Sequence, residues 1–264
     1  MPSTPLINQK YVFPRSVMAL MLREMSTTYG RSPGGYIWAF LEPLGGIVMM
    51  SVIFYFIARA PALGTNFPLY FATGFLPFMM YQSTAARVGQ AIRYSKPLLS
   101  YPKVTYMDAV LARLLLNFLT QTVVTLILIT SIVLIFDVKL SIDYVTCGHA
   151  LFMAAFLGFA IGTVNCYLMS MFPIWQTVWS VVNRPLFLLS GIFFLIDPLP
   201  ANFRSLLLYN PVAHPIMMMR RGIYISYDAV YVSELYVYSI SFVLMAFGLL
   251  LLHRYHKIMM DEGA

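Results

Sequence analysis

Charge is scarce in this sequence. Only 10% of its 264 residues are Asp, Glu, Lys or Arg, against 60% hydrophobic, which leaves too little polar surface to cover a water-exposed globule of this length. Histidine and cysteine are rarer still, with four and two residues. Cys147 and Cys166 fall in one expected helix, nineteen residues apart; at about 1.5 Å per residue they stand roughly 28 Å from each other, too far to pair within it. The thiols therefore report nothing about redox compartment. His253 and His256 are three apart, as helical metal ligands can be, but they sit at the charged end of the last apolar run with only Asp261 and Glu262 near in sequence. A solvated pair at headgroup level fits better. Also missing are a G-x-x-x-x-G-K-[ST] phosphate loop, an H-E-x-x-H helix and a G-x-S-x-G elbow. The chain is not expected to hydrolyse ATP by a phosphate-loop mechanism on its own, and its scattered acids do not compose an enzyme site.

What the sequence has instead is length without charge. Apolar runs of roughly twenty residues, enough for a helix to cross ~30 Å of hydrocarbon, recur near 36–58, 68–87, 108–136, 147–171, 176–197 and 234–254. The expected fold class is an all-α membrane protein with six transmembrane helices. Residues 1–264 then form a single transmembrane domain, with no room for a separate soluble unit. Residues 1–35 carry Lys10, Arg15, Arg23, Glu24 and Arg31 and no apolar core of signal-peptide type, so the first span is expected to be retained.

Six spans place both termini on one side. That side collects Lys10, Arg15, Arg23, Arg31, Arg87, Arg93, Lys96, Lys103, Arg254 and Lys257, and the other Arg59, Lys139, Arg204, Arg220 and Arg221. Ten cations against five make the terminal side cytoplasmic by the positive-inside rule. The net charge of +7 thus marks a membrane face, and no nucleic-acid partner is expected.

Three segments lie outside the spans. Over residues 10–30, Val17, Met18, Met21, Leu22, Met25 and Tyr29 make an apolar stripe against Arg15, Ala19, Arg23, Ser26 and Thr27, which predicts an amphipathic helix lying flat in the interface. Between spans five and six, residues 198–233 are moderately apolar but broken by Pro198, Pro200, Pro211 and Pro215. Short re-entrant helices on the outer side fit that pattern. The cytoplasmic loop at 88–107, "SKPLLSYPKVTYMD" at its centre, is longer and more charged than a connection needs. Its Leu and Tyr could dip into lipid, or form an apolar docking patch with a charged rim.

Polar residues inside spans are costly. Arg113, Asn117, Thr120 and Gln121 fall on one stripe of span three, Arg184 sits near the middle of span five and Glu42 about a turn and a half into span one. Three such charges facing lipid would cost about 8 to 10 kcal/mol together, so they must face protein or water. An ion pair of Glu42 with Arg113 or Arg184, or a polar path, are both open. Aromatics reach 16%; most are interface anchors or packing, while Trp38, Trp179, Phe193 and Phe194 are candidates to line a path.

The stretches "LREMSTTYGRSPGGYIWAFLEPL" at 22–44, "KPLLSYPKV" at 96–104 and "NRPLFLLSGIFF" at 183–194 resemble, in that order, the membrane subunit of ABC-2 type exporters. The likeness covers nearly the whole chain. Within the family it is most similar to inner-membrane permeases for capsular polysaccharide export. The resemblance implies a homodimer bound to two copies of a separate ATP-binding subunit, which holds the ATP and Mg; no cofactor is expected on this chain. It also implies a lipid-linked polysaccharide substrate and further periplasmic and outer-membrane export proteins. In such exporters the first cytoplasmic loop carries a coupling helix, here implying Arg93, Tyr94, Lys96, Leu98, Leu99, Tyr101 and Lys103 as contacts to the ATP-binding subunit, with Pro97 and Pro102 bounding the helix. Candidates for the translocation path are Trp38, Glu42, Arg113, Asn117, Gln121, Trp179, Arg184, Phe193 and Phe194. Alternatives are export of another lipid-linked glycan (O-antigen or teichoic acid) or a small amphiphile; an intramembrane enzyme and a passive channel are rivals from other classes.

Overall fold

The computed structural model describes residues 12–28, 35, 37–99, 105–138 and 141–261. Every regular element among them is a helix: α1 (Val12–Thr28), α2 (Ile37–Ile57), α3 (Phe67–Gly89), α4 (Ala91–Leu99), α5 (Tyr106–Ile135), α6 (Tyr144–Met171), α7 (Trp175–Leu188), α8 (Ala201–Leu208), α9 (Ala213–Ile223) and α10 (Glu234–Asp261). Four of them, α2, α5, α6 and residues 234–256 of α10, are long and apolar enough to cross a membrane.

Local chemistry fixes where the long helices start. Thr105 and Asp108 form a capping box, the Asp108 N–H donating to Thr105 Oγ1 at 3.3 Å and the Thr105 N–H to Asp108 Oδ2 at 2.8 Å, so α5 begins at Tyr106. This satisfies two backbone donors that a helix start would otherwise leave open. Asp143 caps α6 in a different way. Its carboxylate accepts from the Thr146 hydroxyl and from the backbone N–H groups of Thr146 and Val145, and these bonds, the hydroxyl first, hold its carboxyl below the usual carboxylate range. Pro68 sits in the first turn of α3, where a missing N–H costs nothing.

The core is built around α3. From Leu69 to Tyr81 every residue of this helix is buried, because α2, α5, α6 and α9 all pack on it. Its seam with α6 is closed by two small residues one turn apart, Gly158 and Gly162. A Cβ on Gly158 would lie 2.5 Å from the Tyr81 carbonyl oxygen, and one on Gly162 2.7 Å from Val88 Cβ. Backbones this close gain dispersion contacts over a long interface, the usual driving force between helices in a membrane. A smaller cluster of Val88, Ala91, Ile92, Val110, Phe159, Cys166, Leu252 and Met259 ties α4 to the ends of α3, α5, α6 and α10.

Five of the six apolar runs became helices at nearly the expected bounds. The fifth did not. α7 holds 14 residues, about 21 Å of helix, and the chain turns over residues 189–200, so a continuous span over 176–197 is corrected. The turn contains Gly191 at φ +81°, a left-handed conformation suited to glycine, and its carbonyls find a donor far away in sequence, described below. A second correction concerns the 88–107 loop. Its helix begins at Ala91, directly after α3, and Pro97 lies within it instead of opening it. The 198–233 segment holds two short helices. Of these α9 is buried from Ala213 to Arg220 against α6 and α3. His214 Nδ1 accepts from the Ser233 N–H at 3.2 Å while Nε2 meets the Leu208 carbonyl at 3.0 Å, tying α8, α9 and the start of α10 together.

Candidate functional site

At the end of the bundle that carries α4, three helices meet on one guanidinium. Arg113, two turns into α5, is 7% exposed. Its Nη2 lies 3.0 Å from Glu24 Oε1 of α1, its Nη1 donates to the Arg87 carbonyl at the end of α3 at 3.0 Å, and its Cζ sits 4.8 Å from the centre of the Tyr94 ring of α4. The partner of Arg113 is therefore Glu24, so of the pairings left open by the sequence the one of Arg113 with Glu42 is not formed. Breaking such a buried pair costs about 3 to 5 kcal/mol, because one charge is left without compensation.

The rest of the polar stripe on α5 faces protein, as its cost in lipid requires. Asn117 Nδ2 donates to Ser83 Oγ at 3.0 Å and Thr84 Oγ1 at 2.8 Å on α3. The Thr120 hydroxyl donates back to the Leu116 carbonyl at 2.8 Å. Gln121 is buried, and its Oε1 has no hydrogen-bond partner among the described residues. Phe193 is packing, in ring contact with Phe54, Phe71 and Phe187.

A groove of about 720 Å3 opens between α2, α3 and α7. It brings together three residues singled out from sequence: Glu42 of α2, and Trp179 and Arg184 of α7, with Phe78, Asn183 and Phe187 beside them. Glu42 and Arg184 share the groove without forming an ion pair among the described residues. α7 is pinned at its start, where Trp175 Nε1 donates to Asn165 Oδ1 of α6 at 3.0 Å, and near its end by Phe187 on Phe75 and Phe78. Its face carrying Gln176, Thr177, Ser180 and Arg184 is exposed, as is Trp38 on α2.

On α4, Arg93 and Tyr94 are exposed and Lys96 half-buried, with no hydrogen-bond partner for Nζ among the described residues. Tyr101, Lys103 and the side chains of Leu98 and Leu99 lie outside the described residues.

Sequence reasoning missed Arg220. Taken there as an outer-side charge, it is 1% exposed. Its Nη1 donates to the carbonyls of Gly191 at 2.8 Å and Phe194 at 3.2 Å, its Nη2 to that of Ile192 at 2.8 Å, and its Cζ lies 4.5 Å over the Tyr70 ring. This one side chain satisfies the turn that ends α7. Arg204 is likewise engaged, with the Asp197 carbonyl at 3.1 Å and the Tyr231 ring, leaving Arg59 and Arg221 as the exposed cations at that end among the described residues. The Gly158–Gly162 seam was missed too, although G-x-x-x-G in an apolar helix was there to be read.

The chain is similar to known proteins over nearly its whole length. The chain is 28% identical over 244 residues to the capsule polysaccharide export inner-membrane protein CtrC of Neisseria meningitidis serogroup B, covering 92% of each chain. It is 28% identical over 250 residues to the polysialic acid transport protein KpsM of Escherichia coli, covering 94% of this chain and 96% of that one. The capsule polysaccharide export inner-membrane protein BexB of Haemophilus influenzae is 28% identical over 244 residues, 92% of each. The pattern of the ABC-2 type transporter family matches residues 15–224, a range that runs from α1 through α9 and holds the Arg113 junction, the groove and Arg220. This multi-pass helical chain belongs to the ABC-2 type transporter family.

Proposed function

We propose that this chain is the membrane-spanning subunit of an ATP-driven exporter that carries a lipid-linked, acidic capsular polysaccharide across the inner membrane. The observation that carries the reading is the likeness, over more than nine-tenths of the chain, to relatives named for capsule polysaccharide export. Driving force comes from a separate ATP-binding subunit, two copies of which hold ATP and Mg and engage a homodimer of this chain. Export of another lipid-linked glycan would use the same architecture. Periplasmic and outer-membrane proteins then carry the polymer onward.

In this reading the α4 end faces the cytoplasm, with α1 flat in the interface, and both termini are cytoplasmic. α3 is the second of six membrane segments. α7 with its Arg220-anchored turn is the fifth, since irregular backbone is tolerated at membrane depth only where its polar groups are satisfied by protein. α8 and α9 re-enter from the outer side. α4 is the docking helix: Arg93, Lys96, Leu98 and Leu99, continued by Tyr101 and Lys103, supply the contacts to the ATP-binding subunit, while the Tyr94 ring turns to Arg113 of α5. The open faces of α2 and α7 meet a second copy, and the path runs along Trp38, Glu42, Trp179 and Arg184. Polar groups and ring faces there suit a sliding polymer, which needs adhesion without fixed geometry. Arg113, Asn117 and Gln121 support the helices around the path, and Phe193 and Phe194 its outer end.

The test is complementation of a host strain lacking this chain. Wild type restores polymer at the surface, while without it polymer accumulates inside. Replacing Arg184 and Trp179 together by Ala is expected to lower surface polymer by about tenfold or more, the effect of about 1.4 kcal/mol on a limiting step. Unchanged export would remove the path assignment.

A further inference from the structure

We infer that Arg113 is a positioning residue of the transport cycle, the joint through which the position of α4 is passed to α1. This rests on the reading that α4 docks on an ATP-binding subunit.

The geometry is that of a three-way link. α1 packs on the bundle chiefly through α5, and α4 also rests on α5. Between them lies a cavity of about 470 Å3, lined by Glu24 from α1, Gln90 from the end of α3, Tyr94 and Ser95 from α4, and Ala112 and Arg113 from α5. Close-packed elements transmit displacement through many contacts at once. α1 and α4 both rest on α5, and across the cavity the direct side-chain bridge between them is the guanidinium. One edge of it holds Glu24, one donor holds the Arg87 carbonyl, and its face carries the Tyr94 ring. Arginine alone supplies all three, since its donors lie in a plane whose face stacks on an aromatic ring. Its Nε has no partner among the described residues, so the planar group has a spare donor with which to take up a second arrangement.

Motion of α4 moves Tyr94, a residue 63% exposed and so little held by the core. A ring that leaves the guanidinium face removes one of the three restraints on Arg113 and shifts its balance between Glu24 and the Arg87 carbonyl. That is the differential contact a bistable link requires. The capping box at Thr105 and Asp108 keeps the α5 end of the joint in place, so the displacement is delivered to α1.

The experiment uses the complete complex, purified from the host with its ATP-binding subunit, together with surface polymer on whole cells. Tyr94→Ala and Arg113→Gln are each expected to leave subunit co-purification intact and ATP hydrolysis within about twofold of wild type, while surface polymer falls about tenfold or more. Tyr94→Phe keeps the ring and is expected to export like wild type. The double variant should be no worse than the worse single one, because both act through one contact. Should Arg113→Gln fail to fold, Tyr94→Ala decides the matter, since an exposed ring is not needed for the core. Normal export by Tyr94→Ala overturns the inference, as does a double variant that loses the product of the two single losses. Normal export by Tyr94→Ala with the ATP-binding subunit still bound removes the joint and leaves docking standing. Absence of the subunit from the wild-type chain removes both.

Discussion

Arg220→Met is expected to lower the melting temperature of the detergent-solubilised chain by about 10 °C and to cut the yield of monodisperse protein. Methionine fills most of the volume but donates nothing. Three carbonyls, of Gly191, Ile192 and Phe194, then lose the donor that now sits within 3.2 Å of each. A buried group left without its partner costs about 1 to 3 kcal/mol, so the three together cost about 3 to 9 kcal/mol, and each kcal/mol shifts the midpoint by about 2 to 4 °C in a chain of this size class. The loss should centre on the turn after α7, and Phe187 and Phe193 are expected to loosen with it. Arg220→Lys keeps the charge, but a compact ammonium cannot reach three carbonyls spread around a planar fork, so only partial recovery is expected. A midpoint within a degree or two of wild type for Arg220→Met would show that water reaches the turn and replaces the guanidinium.

Gly158→Leu is expected to abolish the folded state. Even the first carbon of a side chain at this position lands 2.5 Å from the Tyr81 carbonyl oxygen and 2.9 Å from Thr84 Cβ. The first of these is backbone, so no rotamer change relieves it. α3 and α6 must separate, which opens the seam and withdraws Thr84 from Asn117. Gly158→Ala adds the same atom without the rest and is expected to cost about 2 to 3 kcal/mol, at the upper end for overpacking. Gly148, on the same helix, has open space where a Cβ would stand, with nothing within 4 Å, so Gly148→Ala should be neutral or slightly stabilising through helix propensity. Thermal unfolding of the three variants, followed by size-exclusion profile, checks the order. Equal behaviour of Gly158→Ala and Gly148→Ala would contradict the packing account.

Much of this architecture was legible because hydrocarbon imposes a length and an apolar composition that a sequence carries openly. The run at 36–58 became Ile37–Ile57, that at 108–136 became Tyr106–Ile135, and the amphipathic stretch at 10–30 became Val12–Thr28. Failures came where a partner far along the chain decides the outcome. "NRPLFLLSGIFFLI" reads as one apolar span, and only the donors of Arg220, 26 to 29 residues away, make a turn after Leu188 affordable. The same holds for Arg113. Its stripe position gave the need for a partner, but the partner lies on α1, outside the spans, and nothing in local spacing distinguishes Glu24 from Glu42. The groove was the reverse case. Glu42, Trp179 and Arg184 were chosen one by one for the cost of a charge or the use of a ring in a membrane, and the packing of α2, α3 and α7 places them together.

The most direct test of the account is whether an ATP-binding subunit accompanies this chain when it is gently solubilised from its own host. The account predicts that wild type retains such a subunit and that Leu99→Asp, a charge in the last turn of α4, releases it while leaving the chain folded. A wild-type chain that purifies without any ATP-binding subunit, under conditions that keep it folded, would contradict the exporter reading at its root.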